Sequence, residues 1–508
     1  MKNFPLILIL FMALAVACNK KKEDGETGVT VTPGTGTRTE LSLDSLYLYA
    51  SQTYLWYDAL PSYTDFAPRK FAASADGLAA LKQELFALVQ YKINPQTGVP
   101  YEYAVATNQG KYSFVESGNV ITGQQGSVSL EGAGNDLGLE LSIVNGQEVY
   151  IRYVNTGSPA YKVGLTRGCR LAAVNDQPVV VNAATLNNAL AQSSLSLKVV
   201  TPAGATLSVS LAKESYTSSP VLKTAIINNG GTIIGYIAFA RFSTLSTAQK
   251  DLDNAFAGFA NAGVTDMVVD LRYNGGGYVQ TAEYFADLMV PQSVNGAVMY
   301  AEYFNTLMQN GKATILKAIP YTDANKQPVY INGRQATYLD VDYSVKGNTH
   351  TYAKKGSLQT VKNVAFIVTG STASASELLI NALKPHLNIQ LIGSKTYGKP
   401  VGFFGIGIDK YTVYLSQFKS VNSKGEGDYF DGFTPGIVAA DDVTHDFGDS
   451  NELAIASALA WIKGGAVPMG GRLNINGREV NIENIQIENS RENEFNGMIR
   501  TGSSMQLH

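Results

Sequence analysis

Two residues 25 positions apart raise the chemical question. Ser374 lies in "TGSTASASELLINALKP" (369–385), where an apolar run ends, small residues turn the chain and a helical pattern begins. A serine at a helix start sits in a positive field beside unbonded backbone N–H groups, which favours a developing oxyanion. The simpler role for Thr372, Ser374 and Ser376 is helix capping. Lys399 lies in "IGSKTYGKPVG" (392–402). A hydroxyl nucleophile needs a general base, and no histidine occurs in either stretch. A buried lysine can lose its proton near neutrality and serve instead. The third feature is "DLRYNGGG" (270–277), an apolar strand that delivers three glycines at its C-terminal end. That edge of an α/β sheet is where ligands bind, and glycines let backbone N–H groups approach a substrate oxygen.

"IGSKTYGKPVG" also reads Gly393, four residues, Gly398, Lys399, most of a phosphate-binding loop. Such a loop needs Ser or Thr for Mg²⁺ and a helix directly after the lysine. Pro400 supplies neither hydroxyl nor N–H, and "VGFFGIGI" reads as strand, so a nucleotide site is not expected.

The surrounding elements divide the chain. Its 508 residues are 45% hydrophobic and 16% charged, enough to bury several cores. A net charge of −3 offers no basic footprint for nucleic acid. Two cysteines, Cys18 and Cys169, exclude a disulfide framework and a cysteine zinc site, and the four histidines form no ligand pair. No metal and no cofactor is expected. Residues 1–17 read as a signal peptide: Lys2, an apolar run from Phe4 to Ala17, then "LAVAC". Residues 18–40 are polar and rich in Gly, Thr and Pro, a disordered tether.

From 41 to 117 the apolar spacing is helical, with Leu43, Leu46, Tyr47, Ala50 and Tyr54, then Leu78, Leu81, Leu85 and Leu88. From 123 to 213 short alternating runs such as "DLGLELSIV", "EVYIRYV" and "TLSVSLA" predict a β-rich domain. From 215 to 464 strands alternate with helices, which predicts an α/β core with parallel pairs. One of its helices is "STAQKDLDNAFAGFANAG", with Ser246 as N-cap. Residues 465–508 are polar and Asn-rich, and they assign to no element.

Three resemblances add to this. The cysteine at the end of "LAVAC" resembles a bacterial lipobox, which implies lipidation of Cys18 and a membrane-anchored protein of the cell envelope, at the outer membrane on its periplasmic or surface side. "NKKKED" after it resembles the export signal of Bacteroidetes-type lipoproteins. "LGLEL" and "GSPAYKVGLTRGCRLAAVNDQPV" resemble a PDZ domain, with Cys169 in place of the usual Asp. That likeness implies capture of a peptide carboxylate by the loop Leu137, Gly138 and Leu139, with the peptide added to a sheet edge.

Residues 270–402 resemble the C-terminal processing (tail-specific) serine peptidases, whose pattern is "LRxNxGG", then "(S/T)ASASE", then "GxT(F/Y)GK" 25 residues beyond the nucleophile. The resemblance implies a multidomain α/β protein with a helical N-terminal domain, a PDZ-like domain and a ClpP/crotonase-like catalytic core. It implies Ser374 as nucleophile, Lys399 as base, and an oxyanion hole from the backbone N–H groups of Ala375 and Gly276. Protein or peptide substrates follow, with no nucleic acid and no nucleotide. The chain departs from the pattern where many members have a Gln four residues after the lysine; here it is Phe403. Gln417, on the next apolar run, is the candidate replacement as third catalytic residue. A second reading keeps the fold and drops the chemistry: a catalytically impaired peptide-binding lipoprotein, which Phe403 favours.

Overall fold

The computed structural model describes residues 34–104, 109–118, 124–125, 128–465, 473–475, 478–480, 497–500 and 505–508, apart from residues 75 and 324. The signal-peptide and lipidation expectations, Cys18 included, lie outside the described residues. Helices α1 (Arg38–Thr53) and α2 (Gly77–Val89) open the described chain. Thr37 and Glu40 form a capping box on α1, and the Asp76 carboxylate caps α2. Their apolar faces do not close on each other alone. Leu43, Leu46, Leu81 and Leu85 share one core with residues of the 230–430 region. Phe114–Ser117 then pairs antiparallel with Tyr411–Tyr414, so the segment after the helices is sewn into the later part of the chain.

Residues 139–212 build a five-strand path: Thr206–Ala212, Ser194–Val200, Arg170–Val174, Glu148–Val154 and Leu139–Val144, with the helix Ala183–Ala191 packed on it. Cys169 is buried in this domain's own core. Leu139–Val144 is the terminal strand of the path, and all six of its residues are buried.

The largest parallel sheet holds β1 (Val221–Asn229), β2 (Thr232–Phe239), β3 (Asp266–Asp270), β5 (Asn363–Val368), β6 (Asn388–Gly393) and β7 (Ile437–Val438), in that spatial order. Its short companion β4 (Gly276–Tyr278) leaves the sheet just past β3. β1 and β2 are an antiparallel hairpin, and every pairing from β2 to β7 is parallel. Parallel strands covered on both faces read as unbroken apolar runs, which is why "MVV" and "VAFIV" lack alternation. Met267, Val269, Val364 and Phe366 face helices α3 (Leu245–Asn261), α4 (Val279–Met289) and α5 (Ala375–Leu383), while Val268, Ala365 and Ile367 face α6 (Leu453–Ile462). Helix α3 starts two positions earlier than its sequence signal: Thr244 is the N-cap residue and Ser246 lies inside the first turn. The Thr244 hydroxyl is shared with those of Ser246 and Thr247, so the cluster of hydroxyls and not the expected serine marks the start.

A buried ion cluster supports the Gly-rich loop from below. Arg272 bonds Asp270 at 2.9 Å, Asp441 at 2.8 Å and Glu452 at 2.8 Å. Arg167, from the β-rich domain, bonds the same Asp441 at 2.6 Å and the Tyr273 hydroxyl at 2.6 Å. Buried charges persist only when paired and hydrogen-bonded, so this cluster fixes the β-rich domain against the loop that follows β3. The polar C-terminal stretch, unassigned from sequence, contributes one more strand: β8 (Gly497–Ile499) pairs in parallel with β4.

Candidate active site

Ser374 has φ 58° and ψ −106°, a conformation that a residue with a Cβ rarely adopts. It is held there by what surrounds it. Its N–H donates to the Glu377 carboxylate at 2.9 Å, and its carbonyl accepts the first turn of α5 from Leu378 at 2.7 Å. The Ser374 hydroxyl is buried and makes no hydrogen bond among the described residues, so it does not cap its helix. The neighbouring serine behaves otherwise: Ser376 Oγ donates to the Asn274 carbonyl at 2.9 Å.

Glu377 joins the two motifs. Besides Ser374 N–H, its carboxylate accepts Lys399 N–H at 2.8 Å, Gly398 N–H at 2.8 Å and the Thr396 hydroxyl at 2.6 Å. Burial pushes its pKa up, and these four donors oppose the rise. One fully buried carboxylate thus fixes the turn carrying Ser374 relative to the turn carrying Lys399.

Lys399 is 1% exposed. Its ammonium donates to the Tyr112 carbonyl at 3.0 Å and lies 4.6 Å from the centre of the Phe403 ring. Burial drives its pKa down to about 7, against a smaller upward pull from Glu102 and Glu377. Glu102 is itself fully buried and accepts the N–H groups of Tyr112 and Ser113 at 3.2 and 2.8 Å, and the Ser113 and Ser416 hydroxyls at 2.7 and 3.0 Å. The helical segment therefore supplies the carbonyl that holds the lysine, and Glu102 braces that carbonyl's peptide.

Asn274 ties the Gly-rich loop to the serine turn. Its side-chain amide donates to the Phe239 carbonyl at 2.9 Å, and its backbone carbonyl accepts Ala373 N–H at 3.1 Å. Its side-chain oxygen accepts Gly276 N–H at 2.9 Å. Ala375 N–H, the first amide of α5, makes no hydrogen bond among the described residues. Of the two expected oxyanion donors, Ala375 is open in this conformation and Gly276 is engaged by Asn274. Gly276 has φ 109°, and a Cβ there would stand 3.0 Å from Ala375 N, so only glycine fits.

Gln417 lies elsewhere. Its Oε1 accepts Phe404 N–H at 2.7 Å, and its buried Nε2 has no partner among the described residues. It braces the main chain at 402–404 and makes no hydrogen bond to Lys399. In the β-rich domain, Gly138 N–H donates to Asp136 at 2.9 Å, and the Gly138 carbonyl accepts Asn155 N–H at 2.8 Å. Leu137 and Leu139 are buried. Lys399 is followed by the strand Val401–Gly402 and by no helix, so the stretch lacks the geometry of a phosphate-binding loop. Among the described residues no group of three or more His, Cys, Asp or Glu could hold a metal ion, and no helix is long and apolar enough to cross a membrane.

Sequence reasoning singled out Ser374, Lys399, Ala375 and Gly276, which the structure brings to one sheet edge. It gave no role to Glu377, Asn274, Tyr112 or Glu102. Glu377 closes the "STASASE" run and Asn274 precedes the glycines, so two of the four lay inside quoted motifs.

Residues 233–438 match the sequence model of peptidase family S41. The chain is 25% identical over 281 residues to a carboxyl-terminal-processing protease of Synechocystis sp., covering 54% of this chain and 54% of that protein. It is 24% identical over 318 residues to the carboxy-terminal processing protease CtpA of Bacillus subtilis, covering 62% of this chain and 57% of that protein. The chain spans about half the length of the curated relatives it matches. A solved structure of an S41 protease candidate from Bacteroides fragilis superposes with a TM-score of 0.53 at 21% identity, covering 83% of this chain and 97% of that one. That likeness supports the multidomain α/β fold.

Glu377→Gln puts an N–H₂ group where four donors converge. A hydrogen bond to a charged group is worth about 1.5–3 kcal/mol, and at least two are lost. The variant is expected to unfold at lower urea than the parent and to lose most of any catalytic rate through kcat. An unchanged urea midpoint would mean that the carboxylate does not clamp the two turns.

Proposed function

We propose that this chain is a serine peptidase that hydrolyses protein substrates with Ser374 as nucleophile and Lys399 as general base. The observation that carries this is the lysine: a fully buried amine, lowered to a pKa of about 7, fixed through Glu377 to a turn whose serine hydroxyl is unbonded. The match of residues 233–438 to the family S41 model supports the reaction class.

The reading implies the following steps. Nζ turns from the Tyr112 carbonyl to the Ser374 hydroxyl and takes its proton as Oγ attacks the peptide carbonyl. The oxyanion forms against Ala375 N–H and the Gly-rich loop, where each donor is worth about 10²–10³ in rate. The protonated Lys399 gives its proton to the leaving amine, and the acyl-enzyme is hydrolysed by water through the same base. Phe403 keeps the amine dry with its ring, and dryness is what depresses the lysine pKa. The position that is Gln in many relatives thus acts here through desolvation.

Two further roles belong to this reading. The β-rich domain presents substrate C-termini to the core, supported by its PDZ-like sequence and by the terminal strand Leu139–Val144. Cys18 carries the lipid that anchors the protein to the cell envelope at the outer membrane, supported by the lipobox-like sequence before it.

Ser374→Ala and Lys399→Ala should each abolish cleavage of casein while circular dichroism stays unchanged; full activity in either removes the dyad. The free base must be neutral, so kcat/KM should fall about tenfold per pH unit below 7 and level off above it. A flat profile from pH 5.5 to 9 contradicts a lysine base. For the anchor, radiolabelled palmitate should enter the parent and not Cys18→Ala; equal label in both excludes lipidation at Cys18.

A further inference from the structure

The catalytic groove holds a strand of the chain itself. Gly497, Met498 and Ile499 pair in parallel with Gly276, Gly277 and Tyr278 on one side. On the other side Phe403 N–H donates to the Met498 carbonyl at 3.2 Å, and Arg500 N–H donates to the Phe403 carbonyl at 3.1 Å. The segment therefore fills the gap between the Gly-rich loop and the chain that follows Lys399. The Gly497 carbonyl oxygen stands at the serine turn: a Cβ on Gly276 would meet it at 2.6 Å and Ala375 N at 3.0 Å. A peptide substrate must lay its backbone between the same two walls to bring a carbonyl to Ser374.

The segment ends on a built pocket. The Arg500 guanidinium is 6% exposed and bonds Glu302 through Nε at 2.7 and 2.9 Å. Its Nη2 donates to the Tyr300 hydroxyl at 2.8 Å and to His350 Nε2 at 2.7 Å, and lies 3.4 Å from Glu283 Oε1. The Glu283 carboxylate also accepts the Tyr300 hydroxyl and pairs with His350 Nδ1. Glu302 is fully buried and lies outside the proposed Ser–Lys chemistry. A buried carboxylate with no cation opposite is strongly unfavourable, so this pocket is shaped for a basic side chain. A cavity of about 50 Å³ between Thr244, Tyr278, Ile499 and Arg500 leaves room beside the strand.

We propose that Glu283 and Glu302 form a subsite for a basic side chain of a peptide strand, three residues beyond the carbonyl at Ser374, and that Gly497–Arg500 occupies this groove as an internal substrate mimic. The proposal rests on the peptidase reading for what the groove is used for, and on the pairing and the pocket alone for what the groove binds. In the resting state the chain competes with its substrates. The ligand class is an extended peptide with a small residue at the serine turn, then two apolar residues, then Arg or Lys.

The test uses full-length chain. Arg500→Ala removes the anchor, so that the strand yields the groove to a competing peptide. A fluorescein-labelled peptide amide of sequence Asn-Gly-Met-Ile-Arg should bind Arg500→Ala at least about tenfold tighter than the parent, a difference of about 1.4 kcal/mol. The Arg-to-Glu version of the peptide should not bind, and Glu302→Gln in the Arg500→Ala background should remove the preference. Casein cleavage by Arg500→Ala should rise with a lower KM. Equal, weak binding of both peptides to both proteins, or a casein rate that falls together with the melting temperature, would overturn the proposal and leave the segment a structural strand. Arg-dependent binding with no cleavage by any variant would uphold the subsite and defeat the peptidase reading.

Discussion

One buried carboxylate holds the site together. Glu377 receives the backbone of Ser374, the backbone of Gly398 and Lys399, and the hydroxyl of Thr396. An anion with four donors is satisfied without water, and it tolerates no displacement of either turn. The unfavourable backbone of Ser374 depends on it. With its N–H fixed by Glu377 and its carbonyl fixed by α5, the serine projects its hydroxyl away from the helix cap it would otherwise form. Electrostatics follow from the same contact, because the carboxylate lies near Lys399 yet is outweighed by desolvation.

The lysine is set by three parts of the chain, one of them remote in sequence. Its backbone is tied to α5. Its amine is held by Tyr112, 287 residues away, and its ring neighbour Phe403 excludes water. Glu102 fixes the Tyr112 and Ser113 amides and sits deep enough that burial raises its own pKa. The helical segment is thus part of the candidate site as well as a neighbour of it. The Arg272 cluster performs the matching task on the loop side, joining Asp270, Asp441 and Glu452 beneath "YNGGG" and linking them through Arg167 to the β-rich domain.

Much of this was legible in sequence because the strongest signals are local. The runs "MVVD", "VAFIV" and "LINAL" declare buried parallel strands and an α-helix without help from neighbours. One carboxylate spans the turns of Ser374 and Lys399 and holds them at a fixed separation. What escaped has physical reasons. A capping-box glutamate and a bridging glutamate look alike in sequence, so the bridging role of Glu377 has no sequence signal of its own. The Tyr112 contact is made by a backbone carbonyl, which any residue carries. Gln417 was chosen by closeness in sequence, yet its chain runs past Phe404 and its carboxamide serves that backbone. The stretch "NGMIR" is too short and too polar in its surroundings to show a period of two. Its apolar partners come from Phe403, Leu130 and Tyr414, and its charge partner comes from Glu302.

The account depends on a lysine that is neutral at physiological pH because the fold keeps water from it. The direct measurement is a pH titration by NMR of the ε-carbon of Lys399 in protein labelled with ¹³C-lysine, assigned by the signal missing from Lys399→Met. The account predicts a midpoint near 7, well below the 10.5 of an ordinary lysine. A midpoint above 10 would show a solvated ammonium and contradict the role of Lys399 as the base.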